Sequence, residues 1–418
     1  IPYAALHYLT AECNYGGRVT DDKDRRCLAN ILDDFYNPEI QKEGYKFSPS
    51  GVYYAPSESG LEGYKEYIET LPMTEGPEVF GLHDNANISC ALSETSALLL
   101  TALSLQPRSS GGEGKGWGEI LGELAVDIEK RLPAIFDMEK ALLDFPVKYE
   151  ESMNTVLTQE LIRFNKLTTR ISTTLKEVQR AIKGLVVMSG ELEEMGNSMV
   201  LSLVPALWSK VSYPSLKPLG SWVNDFLARL KFLGDWNKNK KPPTLFWISG
   251  FFFTQAFITG TLQNYARKEQ KPIDTVGYDF AVLTPDQQVT AATVPPEDGA
   301  YVHGLFLDGA RWNSEDHHID ESLPRELFVS CPYIHLWPRS TSDIPVTKGK
   351  LATYTGMPTG TNHVYACPVY KTSVRFGVLM TTGHSTNFVM WITLPMSSTS
   401  TQKHWIKRGV AMLTQLDD

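Results

Sequence analysis

Three segments of the chain differ in how their hydrophobic positions are spaced. Up to about residue 105, and again over residues 117–270, apolar residues recur every three or four positions, which is typical of amphipathic helices packed on a core. Over residues 271–418, short apolar runs are separated by clusters of Pro, Gly, Asp and Ser, which predicts many short strands joined by turns. The pattern therefore predicts an α+β protein whose helices precede its strands.

Four helices are predicted in the first segment. The first ends where Gly16 and Gly17 offer a C-terminal stop, and the second begins at a cap on Thr20 or Asp21. A short third helix is expected near residues 61–71. The fourth, over about residues 86–105, carries leucines at helical spacing, so we expect them to face a buried surface. These leucines are Leu92, Leu98, Leu99 and Leu103.

The most regular pattern is a seven-residue apolar repeat in the second segment. Its steps of four and three residues predict one long amphipathic helix. Such a repeat fits either a coiled-coil seam between two chains or a helix packed inside its own domain. Because Gly184, Gly190 and Gly196 would interrupt a long rod, we favour the packed helix. The repeat consists of Leu157, Leu161, Phe164, Thr168, Ile171, Leu175, Val178, Ile182 and Leu185.

Seven strand-like runs follow in the third segment. They lie at residues 278–283, 299–307, 327–336, 363–369, 373–381, 388–394 and 405–413. Many short strands with turn signals between them favour a β-sandwich or a partly open barrel.

Two further stretches affect the organisation of the chain. Residues 107–116 read PRSSGGEGKG, which is half Gly and Pro and predicts a linker. This linker, together with the change to strand-like spacing near residue 271, divides the chain into predicted units at residues 1–106, 117–270 and 271–418. The run LFWISGFFFTQAFI at residues 245–258 is shorter than the about 20 residues that a membrane span needs, so we expect either a buried helix or a junction between elements.

Composition narrows the class of protein. The net charge of −9 and the pI near 5.6 argue against nucleic acid as the main partner, and we expect no membrane partner. Five scattered cysteines are typical of reduced thiols in the cytoplasm. Because the chain starts at Ile1 without a methionine, we expect it to be part of a longer protein.

Residues with catalytic or metal-binding chemistry are sparse. A phosphate-binding loop is not predicted, because Lys115 in residues 111–116 is followed by glycine and not by Ser or Thr. A zinc site could draw on Cys331, His335, His363 and Cys367, but residues four apart on a strand share a face in any case. The run at residues 315–321 is acidic and His-rich, and we interpret it as a solvated loop. We therefore predict no catalytic residue and no metal ion.

Several longer segments are more specific. They are ECNYGGRVTDDKDRR at residues 12–26, FGLHDNANI at residues 80–88, WISGFFFTQAFITG at residues 247–260, HGLFLDGARWN at residues 303–313 and HWIKRGV at residues 404–410. In this order they resemble the last AAA+ module and the C-terminal domain of dynein heavy chains. The phenylalanine-rich and GARW segments are more similar to axonemal than to cytoplasmic heavy chains.

The resemblance implies a fold and a function. Residues 1–106 would form the small helical subdomain of the sixth AAA+ module, and the rest a helical region followed by an incomplete antiparallel β-barrel. The full-length protein would be an ATP-driven, minus-end-directed microtubule motor of cilia or flagella, with ATP and magnesium bound by upstream modules. This region would need no cofactor, catalyse nothing, brace the ring and tune motility. Its partners would be those upstream modules and, through the full motor, microtubules and other dynein subunits.

Five residues are candidates for holding this module against its neighbour. They are Arg18, Asp21, Asp22, Arg25 and Arg26. Gly16 and Gly17 permit a tight turn that would aim the Arg18 guanidinium outward, where it suits a carboxylate partner. The alternative is a set of local caps and ion pairs between residues four apart.

His83 is a candidate for a lost sensor. Small AAA+ subdomains often place a phosphate-sensing arginine where Gly81-Leu82-His83 stands in this sequence. Because histidine is mostly uncharged at pH 7, we predict a relic site kept for packing. Two other functions stay open: a free-standing interaction module that docks another axonemal component, and a metal- or nucleotide-dependent enzyme.

Overall fold

The computed structural model describes residues 1–105, 116–344, 363–375, 377–378 and 385–418. All of the predicted linker except Gly116 lies outside these residues, as do some residues of the predicted strand 373–381. Helices dominate the first two thirds and strands the last third, so the α+β class is confirmed.

Thirteen α-helices are present in the described residues. They are α1 (Tyr3–Tyr8), α2 (Asp22–Phe35), α3 (Leu61–Thr70), α4 (Asn85–Leu105), α5 (Trp117–Arg131), α6 (Met138–Asp144), α7 (Ser152–Ile182), α8 (Gly190–Val200), α9 (Ala206–Ser209), α10 (Leu219–Asn239), α11 (Thr254–Lys268), α12 (Pro285–Ala291) and α13 (Gln402–Lys407).

Eleven strands are present in the same residues. They are β1 (Leu245–Trp247), β2 (Val276–Val282), β3 (Ala300–His303), β4 (Phe306–Asp308), β5 (Arg311–Asn313), β6 (His318–Asp320), β7 (Phe328–Ser330), β8 (Ile334–Ser340), β9 (Val364–Tyr370), β10 (Phe388–Pro395) and β11 (Ala411–Leu413).

The end of the first helix differs from the prediction, whereas the start of the second agrees with it. After α1 the backbone widens into a π-helical turn over Leu9–Asn14, and neither glycine that follows takes the left-handed conformation of a helix stop. Gly16 is instead needed for space, since a Cβ there would lie 2.1 Å from the carbonyl oxygen of Glu12. The predicted cap on α2 is confirmed at Asp21, whose carboxylate accepts the backbone N–H of Lys23.

The predicted buried side of α4 is wrong. Its four predicted core leucines are between 46% and 69% exposed, and Ile88 and Leu100 are exposed as well. Over Asn85–Leu103 this helix is long and apolar enough to cross a membrane by length and composition. Within that stretch only Asn85, at the start of the helix, is buried, so the described part of the protein leaves the leucines uncovered.

The predicted long helix corresponds to α7, which forms the centre of the helical part. Helices α5, α6 and α8–α11 pack around it, so the apolar repeat from Leu157 to Val178 is buried within the protein itself. This agrees with the packed-helix prediction and leaves that face no room to serve as a coiled-coil seam. Leu185 was assigned wrongly to the repeat, because it follows the end of α7 and is exposed.

The strands form open sheets. A four-stranded sheet has the order β1-β3-β8-β2, a five-stranded sheet has the order β10-β9-β11-β4-β7, and β5 and β6 form a hairpin. The described strands do not close, so a barrel is not shown. The prediction of purely antiparallel pairing is also wrong, because β1 pairs with β3 and β11 with β9 in parallel.

Two predicted strand regions need correction. Residues 405–407 belong to the helix α13, and only Ala411–Leu413 is a strand. The described residues 373–375 and 377–378 are not in a strand. Predicted strands at residues 278–283, 363–369 and 388–394 agree with β2, β9 and β10, while 299–307 and 327–336 are each divided between two strands.

The apolar run at residues 245–258 is a buried junction, one of the two predicted alternatives. It forms β1, a short 3₁₀ turn and the start of α11, and Ile248, Phe251 and Phe257 are buried. Two buried charges hold the turn in place. Glu160 accepts the backbone N–H groups of Phe252 and Phe253, and burial raises the pKa of its carboxyl.

The second buried charge is Arg229. Its guanidinium donates to the Ser249 carbonyl, pairs with Asp225 at 2.6 Å and lies 3.8 Å from the centre of the Tyr213 ring. Through this segment, the apolar core of the helical part continues into the core of the sheets.

Candidate functional site

Helix α2 packs against the edge of the five-stranded sheet, and two buried cationic side chains make the contact. Lys23 is 4% exposed and Arg26 is 3% exposed, although charged side chains are rarely buried without partners. The ammonium of Lys23 lies 4.1 Å from the centre of the Phe388 ring and 2.5 Å from the carboxylate of Asp22. A carboxylate and an aromatic face on β10 thus replace the water that this lysine loses.

Arg26 makes the second contact with the sheet. Its guanidinium lies 4.8 Å from the centre of the Trp391 ring and donates to the carbonyl of Ala366 at 3.3 Å. It also lies over Tyr365, whose hydroxyl donates to the carbonyl of Val410 at 2.6 Å. Since Ala366 and Tyr365 lie on β9, this arginine ties α2 to two neighbouring strands.

A β-bulge in β10 places the rings of Phe388 and Trp391 on the same face of the strand. The register of β10 against β9 shifts between Phe388 and Met390. In a regular strand, residues three apart point to opposite faces, but one extra residue returns them to the same face. The rings of Phe388 and Trp391 are accordingly only 5.5 Å apart, and Lys23 contacts both.

The five predicted contact residues do not form one surface. Arg26 and Asp21 face the sheet, and the second carboxylate oxygen of Asp21 accepts the backbone N–H of Ser385 at 3.3 Å. Asp22 pairs with Lys23. Arg18 is exposed. Contact of this group with an upstream module stays a prediction.

Arg25 faces back towards the first helix. Its guanidinium donates to Glu12 at 3.2 Å, to the carbonyl of Val19 at 2.7 Å and to that of Gly16 at 3.0 Å. These bonds stabilise the turn between the π-helical segment and α2, so Arg25 has the local role that was the alternative.

His83 lines a cavity of about 270 Å³ between the N-terminal helices and the strands. Its Nδ1 accepts the backbone N–H of Asn85 at 3.1 Å. The Asn85 amide donates to the carbonyls of Leu323 and Glu326 and accepts the N–H of Arg325, which fastens the start of α4 to the loop before β7.

The cavity contains two guanidinium groups that are already neutralised. Arg375 pairs with Asp308 at 2.6 Å, and Arg408 pairs with Glu321 at 3.1 Å. Because each arginine has a carboxylate partner, little positive charge is left for a phosphate group. This supports the hypothesis that His83 marks a relic site, which stays a prediction.

The four residues considered for zinc are in different environments, and His363 is exposed. Cys331 and Cys367 are buried in the apolar core, and burial raises the pKa of both thiols, that of Cys331 to about 12. A ring nitrogen of His335 is 2.8 Å from the carbonyl oxygen of Asp298. In the described residues, no group of three or more His, Cys, Asp and Glu side chains could hold a metal ion.

Sequence reasoning missed most of the contact between α2 and the five-stranded sheet. The sequence analysis singled out neither Lys23 nor the aromatic residues of β10. The basic residues near the start of α2 were the available signal, but a local pattern does not reveal a contact 340 residues away.

Two family models match the protein. The AAA lid domain of dynein heavy chains matches residues 1–86, and the C-terminal domain of dynein heavy chains matches residues 92–414. Together they cover α1–α3 and the first residues of α4, then nearly everything that follows.

Curated relatives agree with these matches. The chain is 52% identical to human dynein axonemal heavy chain 3 over 418 residues, 51% identical to human dynein axonemal heavy chain 12 over 421 residues, and 50% identical to rat dynein axonemal heavy chain 1 over 418 residues. The whole of it is aligned in each case, against 10%, 13% and 9% of the relative. It thus spans about a tenth of the length of these relatives. With both family models in their expected order and full-length alignment to three axonemal relatives, the chain belongs to the dynein heavy chains, is of the axonemal type and comprises their AAA lid domain followed by their C-terminal domain.

Proposed function

We propose that this protein is a non-catalytic, structural and regulatory region of an ATP-driven, minus-end-directed microtubule motor in the axoneme. It would brace the ring of AAA+ modules and tune motility, while upstream modules of the same heavy chain bind ATP and magnesium. The units proposed for this role are residues 1–106, 117–270 and 271–418.

The observation that carries this proposal is the uncovered helix α4. Leucines occur on all sides of its second half, and a helix that is apolar all round is normally buried. Exposed apolar surface of this extent marks an interaction site. Some other part of the assembled protein therefore covers α4.

The same heavy chain is the best candidate for that cover. The relatives are roughly ten times longer than this sequence, so most of each heavy chain lies outside it. Helix α4 also contains the boundary between the two family matches, because the lid match ends at residue 86 and the C-terminal-domain match begins at residue 92. A partner seated on α4 would thus hold the lid and the C-terminal domain together.

Charge supports a basic partner. Residues 1–105 contain 7 Lys and Arg against 16 Asp and Glu, so the whole net charge of −9 lies in this segment. The remaining residues contain 32 of each sign. Complementary charge favours a neighbour that presents Lys and Arg around its apolar contact.

A free-standing interaction module is the second candidate. The exposed face of α4 could equally receive a separate axonemal protein, and the structure gives that partner the same chemistry. The two candidates differ in whether α4 is already covered in a complete heavy chain.

The test is hydrogen exchange of α4 in a complete heavy chain. We expect strong protection of residues 92–103 in the wild-type motor. Replacing Leu98, Leu99 and Leu103 with Gln should remove this protection and reduce microtubule gliding velocity, because the apolar contact is lost. The matched control replaces the exposed polar residues Ser93 and Thr95 with Gln and should change neither quantity.

Two outcomes would contradict the proposal. Exchange of wild-type α4 as fast as that of a free helix would show that the heavy chain does not cover it. Protection that develops only after another axonemal protein is added would support the interaction module instead.

A further inference from the structure

The segment HWIKRGV at residues 404–410 is one of those that carry the family resemblance. The contact of Lys23 and Arg26 with the sheet does not account for it. Helix α13 and the two residues after it, residues 402–409, precede β11, the central strand of the five-stranded sheet. Trp405 and Ile406 are buried, which anchors the segment to the core.

One pair of side chains on α13 contacts α2. The ammonium of Lys403 lies 2.5 Å from Asp33, and that of Lys407 lies 2.6 Å from Asp34. The two lysines are four residues apart and therefore share a face of the helix. Between them, the carbonyl of Ile406 is 3.8 Å from the thiol of Cys27.

The aspartates are in a position that α2 itself disfavours. They occupy its last turn, which contains no basic residue, and negative charge there opposes the helix dipole. A ring nitrogen of His7 also lies 3.2 Å from the carboxylate of Asp33. Because two carboxylates at this end oppose the helix dipole, their placement is explained by the lysines of α13.

A second pair of side chains, each one residue after a lysine of the first pair, contacts the strand-rich part of the protein. His404 and Arg408 both reach Glu321, at 2.5 Å and 3.1 Å. These contacts lower the pKa of the Glu321 carboxyl, with the hydrogen bond from His404 as the largest cause. Arg408 also donates to the carbonyl of Gly81 at 3.1 Å, just before His83.

Two glycines allow this close approach. Gly81 has a φ of +81°, and a Cβ there would lie 2.8 Å from the Cβ of Lys407. Gly409 has a φ of +68°, and its carbonyl accepts a hydrogen bond from Arg375 at 2.6 Å. Both positions take the left-handed conformation that favours glycine.

Helix α2 is therefore attached at both ends. Lys23 and Arg26 hold its first half on β9 and β10, and Asp33 and Asp34 hold its last turn on α13. A helix of 14 residues is about 21 Å long. One attachment would let it pivot, whereas two attachments this far apart fix the direction of its axis.

We propose that residues 402–409 form a two-sided clamp that fixes the angle between the AAA lid and the C-terminal domain, so that a movement of the lid carries the strand-rich part with it. The proposal rests on the proposed bracing function and identifies the element that transmits it. Exposed ion pairs add little to stability, so the clamp acts on orientation.

The test is hydrogen exchange along α2 in a complete heavy chain. With Asp33→Lys and Asp34→Lys together, we expect exchange in residues 30–35 to rise roughly three- to tenfold, because like charges now face α13. Residues 22–27 should stay protected, since the contacts of Lys23 and Arg26 are untouched. Adding Lys403→Asp and Lys407→Asp should restore protection by exchanging the two sets of charges.

The matched control is Glu66→Lys with Glu69→Lys on α3, which makes the same change of net charge at exposed positions. It should leave α2 unchanged. Unaltered exchange after the reversal at Asp33 and Asp34, an equal rise along all of α2, or a failure of the exchanged charges to restore protection would each overturn the clamp. Protection of α4 in the same samples reports the bracing function separately, so the two proposals can fail independently.

Discussion

The contact between the AAA lid and the C-terminal domain depends on a few buried, charged side chains. Arg26 exchanges water for the Trp391 ring and one backbone carbonyl, while its Nε has no hydrogen-bond partner among the residues that the structure describes. Burying a guanidinium with incomplete pairing is a poor way to gain stability. It does specify one arrangement, because only one position of α2 places the cation over the ring.

The first prediction concerns this arginine. Arg26→Ala should lower the free energy of unfolding by about 1–3 kcal/mol, since it removes the cation–π contact and leaves the carbonyl of Ala366 without its partner. Arg18→Ala, eight residues earlier and exposed, should change it by less than about 0.5 kcal/mol. Urea denaturation of both variants measures the difference. Equal effects would show that the buried contact contributes nothing specific.

At the scale of elements, α4 and α7 show what hydrophobic periodicity can and cannot predict. Both helices were predicted from regularly spaced apolar residues, and both exist. For α7 the covering helices belong to the same protein region, so its apolar face is buried. For α4 the described residues leave the leucines exposed, because periodicity identifies an apolar face but does not say what packs on it.

The second prediction uses two neighbouring residues of α7. Leu161 is fully buried and Ile162 is half exposed. Leu161→Ala should destabilise the protein by about 2–5 kcal/mol through lost burial and a remaining cavity. Ile162→Ala should cost less than about 1 kcal/mol, since little surface leaves water there. Comparable losses in urea denaturation would contradict the assignment of α7 as the centre of the helical part.

At the scale of the whole molecule, the protein is acidic at one end and balanced elsewhere. Residues 1–105 carry the entire net charge, and the arginines in the cavity beside His83 are paired with carboxylates. As part of an axonemal heavy chain, it is cytoskeletal and lies in the axoneme of a cilium or flagellum. These pairs leave little positive charge in that cavity for the phosphate groups of a nucleotide.

The third prediction follows from this charge distribution. Titration calorimetry of the protein with Mg-ATP and Mg-ADP should show no binding up to millimolar concentrations, because no unpaired cation faces the cavity in the described residues. The control is the same titration of the His83→Ala variant. Micromolar binding that this substitution abolishes would show that His83 senses phosphate and is not a relic.

The sequence by itself determined the α+β class, the helices of the first segment, α7, most of the strands and the family, because these depend on local spacing and on contiguous motifs. It limited the cap of α2 to Thr20 or Asp21, and it named Asp21 and Arg26 only as contacts with an upstream module, which stays a prediction. The tertiary structure alone decided that Lys23 is buried on Phe388, that a bulge aligns Phe388 with Trp391, and that Lys403 and Lys407 contact α2. The contacts of Lys23, Asp33 and Asp34 just named join residues more than 360 positions apart, and no local pattern of charge or hydrophobicity encodes which distant surface will neutralise a given side chain.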